Sequence, residues 1–200
     1  MIKQDVIKFF DHYASQWDAD MIRNDSIINT ILDNAGVFAG TSVLDVACGT
    51  GVLIPDYLKR DVNSVLAIDI SSKMIEIAQK KFQDTIVQFV CADIETVSIS
   101  QKFDCCVVYN AFPHFPSPEN LIRVLADMLN VHGTLTIAHG MNRAKIDQHH
   151  KGAASNVSLG LMSEDALSEL MNPYFTVTTK ISNDSMYQVT GIKRTNHILG

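Results

Sequence analysis

Two rhythms of apolar residues alternate along this chain. From Ile2 to Trp17, Val6, Ile7, Phe9, Phe10 and Tyr13 recur at helical spacing. Between residues 24 and 35, Ile27, Ile28, Ile31 and Leu32 repeat the pattern and stop at Gly36. Two helices are therefore expected before any strand. Beyond residue 40 the texture changes to short apolar runs at 41–46, 65–68, 86–90, 103–109 and 133–138. Helical stretches, notably 72–82 and 119–130, separate several of them. Such alternation predicts a parallel sheet covered on both faces. Residues 163–172 read as a helix, with Ser163 as N-cap and Glu164 and Asp165 in its first turn. Runs at 174–181 and 185–194, joined by Ser182-Asn183-Asp184, read as a hairpin and hence an antiparallel edge. The expected fold class is α/β: a seven-stranded, mostly parallel sheet with helices on both faces and an antiparallel C-terminal hairpin. A single domain over 1–200 is expected, with 1–40 as a helical lid. Residues 140–162, whose periodicity is weak, are expected to form a loop at the binding site.

Composition is compatible with this picture. A hydrophobic fraction of 46% suits a soluble domain with one sizeable core. The net charge of -6, with no run of Lys or Arg, offers no footprint for nucleic acid. No apolar run approaches the ~20 residues that span a membrane. Met1 to Asp5 lead into an amphipathic stretch rather than a signal sequence. Cys48, Cys91, Cys105 and Cys106 make no C-x-x-C pair, and three of them sit in strand-like runs. Reduced, buried thiols in a cytoplasmic protein are expected.

Candidate chemistry gathers at the ends of the predicted strands. Asp45-Val46-Ala47-Cys48-Gly49-Thr50-Gly51 follows the first strand and precedes a helix. Glycines there allow a tight turn and a close approach of ligand to backbone. A dinucleotide-binding turn has a third glycine three residues on, but this chain has Ile54 there. Asp69 ends the second strand and Asp93 the third, so Asp45, Asp69 and Asp93 are each 24 residues apart. Tips of neighbouring parallel strands lie side by side, so the three carboxylates are expected to converge on the ligand-binding edge. An acid at the second tip suits a ribose diol, and one at the third suits an exocyclic amine. Each Asp alone is equally compatible with a cap or turn role.

Residues Val43 to Gly51 closely resemble the first motif of class I S-adenosylmethionine (SAM)-dependent methyltransferases. Ala67-Ile68-Asp69-Ile70-Ser71 resembles their second motif and Cys91-Ala92-Asp93-Ile94 their third. The resemblance covers nearly the whole chain, and its one departure is Ala47, where many members have Gly. It implies SAM as cofactor and a small-molecule acceptor, with neither nucleic acid nor membrane as partner. Carried over by position, it implies Ala47, Gly49 and Gly51 around the methionine moiety and Asp45 near its ammonium. Asp69 would take the ribose hydroxyls, and Asp93 the adenine amine with Ile94 beside the ring. Ile70 and Met74 would flank the adenine, Asn110 would contribute backbone groups, and Tyr13 and Trp17 would cover the methionine end. A non-catalytic SAM-binding protein and an NAD-type oxidoreductase remain as alternatives.

The acceptor is expected over the tip of the fourth strand, at Asn110-Ala111-Phe112-Pro113-His114-Phe115. The Asn-Pro-Pro-Tyr clamp of base-methylating enzymes is missing. His139 ends the fifth strand at the same edge, and His149 and His150 follow in the predicted loop. One of His114 and His139 is a candidate general base, since imidazole titrates near neutral pH. No metal site is expected from ligand spacing; the alternative reading has His114, His139 and His150 as ligands. In a third reading they are polar loop residues.

Overall fold

The computed structural model describes residues 2–150 and 155–195, with side chains at all of them except 20, 147–150 and 155. Its helices are α1 (Lys3–Tyr13), α2 (Trp17–Asp20), α3 (Asp25–Asn34), α4 (Ile54–Lys59), α5 (Ser72–Lys81), α6 (Pro118–Met128), α7 (Arg143–His150) and α8 (Glu164–Met171). Its strands are β1 (Ser42–Val46), β2 (Ser64–Asp69), β3 (Val87–Cys91), β4 (Phe103–Tyr109), β5 (Leu129–His139), β6 (Phe175–Ser182) and β7 (Tyr187–Lys193). They form one sheet in the order β3-β2-β1-β4-β5-β7-β6. The first five are parallel, and β7 runs antiparallel between β5 and β6. The expected seven-stranded α/β sheet with its antiparallel hairpin is thus present. Strand order reverses between β1 and β4, which is where open sheets of this kind leave a crevice at their carboxyl edge.

Strand alternation builds the two cores. Leu44, Val46, Leu66, Ile68, Cys106 and Val108 pack on one face with Leu121 and Leu125 of α6 and Leu167 of α8. Their neighbours Val43, Val65, Ala67, Cys105 and Val107 pack on the other with Ile28 and Ile31 of α3, Tyr57 of α4 and Ile75 of α5. Burial of both faces explains why these strands read as unbroken apolar runs. Three helices start on a side-chain cap. Asn24, Ser71 and Ser163 cap α3, α5 and α8 by accepting from Ile27, Met74 and Ala166 amides.

Three local expectations are corrected. The N-terminal run is not one helix, because a 3-10 turn over Ala14–Gln16 separates α1 from α2. Residues 140–162 contain α7 and a 3-10 turn at Ser155–Val157 instead of an irregular loop. Asn142 starts α7: its side chain accepts from Lys145 N and its carbonyl from Ile146 N. Ile146 is the buried apolar residue described on α7, and one such position makes no periodic pattern. The third correction concerns the thiols: Cys48, Cys105 and Cys106 are buried but Cys91 is exposed, because it ends the edge strand β3. Among the described residues no helix is long and apolar enough to cross a membrane.

Candidate functional site

Register decides how the three aspartates sit. Val46 pairs with Ile68 and Ile68 with Val90, an interval of 22 residues from strand to strand. The aspartates recur every 24 residues, so each stands two residues farther along its strand than the one before. At ~3.3 Å per residue each step is about 7 Å. Asp45 is level with Ala67 rather than Asp69, and Asp69 is level with Cys91 rather than Asp93. The expected side-by-side row is therefore corrected to a staircase rising from β1 to β3.

The lowest step is a buried acid. Asp45 is only 2% exposed, lies beneath the loop after β1, and does not line the cavity described below. Its Oδ2 has no hydrogen-bond partner among the described residues. Burial, and then the neighbouring Asp69 carboxylate, push its pKa up to about 8. Asp69, one step higher, is held in place. Its Oδ2 accepts from Gly49 N at 2.9 Å and its Oδ1 from Ser71 N at 2.8 Å. Burial pushes its pKa up to about 6, and these two amides act against that push. Of the two, the lower acid holds its proton to the higher pH. Between them the chain turns sharply, with Ala47, Gly49 and Gly51 all at positive φ. A Cβ at Gly51 would stand 2.8 Å from the Phe82 ring, so this position needs glycine for space as well as for conformation.

One cavity of about 340 Å³ follows the carboxyl edge from β3 across to β5. At the β2–β3 end its walls are Gly49, Asp69, Ile70, Met74, Ala92, Asp93 and Ile94. Asp93 is already engaged: Oδ2 receives Lys3 Nζ at 2.6 Å and Oδ1 the Glu95 amide at 3.0 Å. Lys3 also meets Glu95 at 2.7 Å, so α1 is tied directly to the highest step. Lys3, Val6, Phe10 and Trp17 all face the cavity, which is one helical stripe continued through the 3-10 turn. Two further aspartates fasten this N-terminal segment. Asp11 accepts from Ser71 Oγ at 2.6 Å, and Asp18 accepts from Thr50 Oγ1 and Lys81 Nζ. Behind the segment, Arg23 grips the buried Asp56 with Nη2 and the Val52 carbonyl with Nη1.

At the β4–β5 end the cavity is lined by Phe10, Tyr109, Asn110, His114, Phe115, His139, Met141 and Ile146. Asn110 has φ of +55°, and its Oδ1 accepts from Gly140 N at 3.0 Å, which ties the tips of β4 and β5 together. Gly140 leaves room for Tyr109: a Cβ there would stand 2.2 Å from the tyrosine oxygen. His139 is 2% exposed, and its ring meets Tyr187 edge-on at 6.1 Å. His114 Nδ1 lies 2.6 Å from the Val157 carbonyl oxygen. Among the described residues no group of three His, Cys, Asp or Glu is arranged to hold a metal ion. The side chain of His150 lies outside the described residues.

Of the residues singled out in the sequence, Trp17, Ala47, Gly49, Asp69, Ile70, Met74, Asp93, Ile94, Asn110, His114 and His139 line this cavity. Asp45, Gly51 and Tyr13 do not. Tyr13 packs instead on Phe9 and His12, each ring pair 4.8 Å apart. The aromatic residue on the cavity side is Phe10, seven positions before Trp17, and that i, i+7 relation was the available signal. Lys3, Glu95, Tyr109, Met141 and Ile146 also line the cavity; each lies in or beside a segment expected at the site, but no spacing or motif singled out the residue itself.

Residues 43–133 match the family described as methyltransferase domain. A malonyl-[acyl-carrier protein] O-methyltransferase of Priestia megaterium is 28% identical over 168 residues, covering 82% of this chain and 61% of that protein. The Acetivibrio thermocellus protein of the same name is 31% identical over 142 residues, covering 69% of this chain and 50% of that protein. The chain thus spans only about half to three-fifths of the length of these curated relatives. The magnesium protoporphyrin IX methyltransferase of Synechocystis, solved with bound SAH, superposes with a TM-score of 0.72 over 96% of this chain and all of its own, at 16% identity. That likeness is one of fold. The resemblance first carried by three short motifs therefore extends to a matched domain and a shared architecture.

Proposed function

We propose that this chain, whose residues 43–133 match the methyltransferase-domain family, transfers a methyl group from SAM to a small-molecule acceptor by in-line displacement. One observation carries the reading: a single cavity runs unbroken from the Asp69–Asp93 end to the His114–His139 end of the carboxyl edge. The residues present fit the cofactor. Asp69 keeps a lone pair on each carboxylate oxygen for a ribose diol after its two backbone bonds. Ile70, Met74 and Ile94 make apolar walls on either side of a planar ring. Asp93 would share its carboxylate between Lys3 and an adenine amine. Ala47, Gly49, Asn110 and Trp17 surround the space expected for the methionine moiety. Asp45 acts from below, as a protonated acid under the loop.

When bound, SAM supplies a methyl on a sulfonium sulfur and leaves as a neutral thioether. The protein's own task is then alignment and exclusion of water. The N-terminal segment over 1–40 acts as a lid across the cavity, and residues 140–162 supply the acceptor side. A cytoplasmic setting, without nucleic acid or membrane as partner, accords with the three buried free thiols and the acidic charge.

Calorimetric titration with S-adenosylhomocysteine tests this. The expected result is one binding site, lost when Asp69 is replaced by Ala. A wild-type protein that binds neither SAM nor its demethylated product would overturn the assignment.

A further inference from the structure

Lys3, Asp11 and Asp18 each fasten the N-terminal segment to the carboxyl edge, but of the three only Lys3 does so inside the cavity. Asp11 accepts from Ser71 Oγ, and Asp18 accepts from Thr50 Oγ1 and Lys81 Nζ. Neither aspartate lines the cavity, whereas Lys3 and both of its partners, Asp93 and Glu95, do. The segment is thus held down outside the cavity without Lys3. The Lys3 contacts fall instead at the end where the base of the cofactor is expected.

The chemistry of that end calls for a cation. One ammonium touches two carboxylates, Asp93 Oδ2 at 2.6 Å and Glu95 Oε2 at 2.7 Å. The Glu95 side chain is only 4% exposed, so water screens its charge poorly. Its other oxygen accepts from Asn120 Nδ2, a neutral donor, at 2.8 Å. Arg123, next along α6, gives Nη2 to Asn120 Oδ1 and pairs with Asp127 at 3.6 Å. Burial works against the Lys3 ammonium, yet its bonds to Asp93 and Glu95 hold its pKa above the ordinary 10.5. Take the ammonium away and two neighbouring carboxylates repel one another. Asp93, whose side chain is 22% exposed, is the one with room to swing aside.

We infer, resting on the methyl-transfer reading, that Lys3 is the positioning residue that sets purine specificity, by holding Asp93 as an acceptor toward a 6-amino group. The Asp93 carboxylate keeps its bond from the Glu95 amide and offers its remaining lone pairs to an exocyclic N–H. A purine without that amine would desolvate the carboxylate and return nothing to it. Lys3 acts through Asp93, and its charge is what lets Glu95 stand beside an aspartate that must stay in place.

Trp17 is the one tryptophan of the chain and lines the cavity, so its fluorescence reads occupancy without turnover. The probes are S-adenosylhomocysteine and its analogue with hydrogen in place of the 6-amino group. Wild-type protein should prefer the amino form by a factor on the order of 30. Lys3→Met should shrink that preference about tenfold, by weakening the amino form alone. Both ligands are compared on the same variant, so an unfolded fraction cancels from the ratio. Adding Glu95→Gln to Lys3→Met removes the repelling charge and should restore the preference, and Lys3→Arg, still a cation, should keep it. Asp18→Asn loosens the segment outside the cavity and should weaken both ligands alike. An unmoved preference in Lys3→Met, no recovery with Glu95→Gln, or the same loss of preference in Asp18→Asn would each overturn the inference. Equal binding of the two probes by wild-type protein overturns the inference alone. Wild-type protein that binds neither overturns the methyl-transfer reading and this inference with it.

Discussion

Asp69 holds Gly49 by its amide, with Oδ2 and N 2.9 Å apart, so the tip of β2 fixes the shape of the loop that follows β1. The same carboxylate holds the start of α5 through Ser71 N. One side chain therefore sets the positions of two backbone segments on the cofactor side of the cavity. Asp69→Asn keeps the shape but turns one acceptor into a donor facing an N–H. Affinity for S-adenosylhomocysteine should fall by a factor on the order of 100 or more, with about 1–3 kcal/mol lost in stability. Titration calorimetry and urea unfolding read the two effects separately.

Asp45 predicts a pH dependence of stability. Its carboxyl has a pKa of about 8 in the fold, well above the ordinary 3.8. The folded state therefore binds the proton more tightly than the unfolded chain does. Stability is full below the ordinary pKa and is lost as pH rises toward 8. Asp69, at about 6, adds the same sign only at lower pH, so the window from about 6 to 8 isolates Asp45. The slope due to Asp45 should approach about 1.4 kcal/mol per pH unit there. Asp45→Asn cannot ionise and should flatten it, making the variant the more stable protein at pH 8. Urea midpoints measured across that window check this.

Ala47 occupies a left-handed conformation, with φ of +56°. For a residue with a Cβ this costs on the order of 1–2 kcal/mol, which glycine avoids. Ala47→Gly should therefore raise stability, by up to about 1 kcal/mol after glycine's extra chain entropy is subtracted. Thermal unfolding provides the measurement, and a lowered midpoint would contradict the strain.

Gly140 and Tyr109 are coupled by space. An added Cβ at 140 would meet the tyrosine oxygen at 2.2 Å but the ring carbon behind it only at 3.3 Å. Gly140→Ala should cost about 1–3 kcal/mol by overpacking. In the Tyr109→Phe background the same change should cost clearly less, since the oxygen is gone. A double-mutant cycle on unfolding free energies gives the coupling.

Much of the site was legible because strand tips announce themselves locally. The apolar run 65–68 ending in Asp69 states a strand and the stretch 72–82 a helix, and both formed where expected, as Ser64–Asp69 and Ser72–Lys81. The 24-residue rhythm of the acids was legible too, but its meaning was not. The strands pair at intervals of 22 residues, so equal spacing in sequence became unequal height in space. That interval depends on how each helix packs back on the sheet, which no local pattern encodes. Tyr13 packs on Phe9 and His12 for a similar reason: a helical stripe has a face, but only the packed sheet selects which face is inward.

From its sequence alone, this chain determined that apolar runs would be buried strands, that Ser163 would start a helix, and that a glycine-rich turn would follow β1. Each depends on residues within a few positions of one another. Tertiary structure alone decided that Lys3 would meet Asp93, that Val157 would orient His114, and that the β4–β5 end of the cavity would be free of charged side chains among the described residues. Those relations join segments far apart in the chain, so they exist only once burial of the two cores has drawn those segments together.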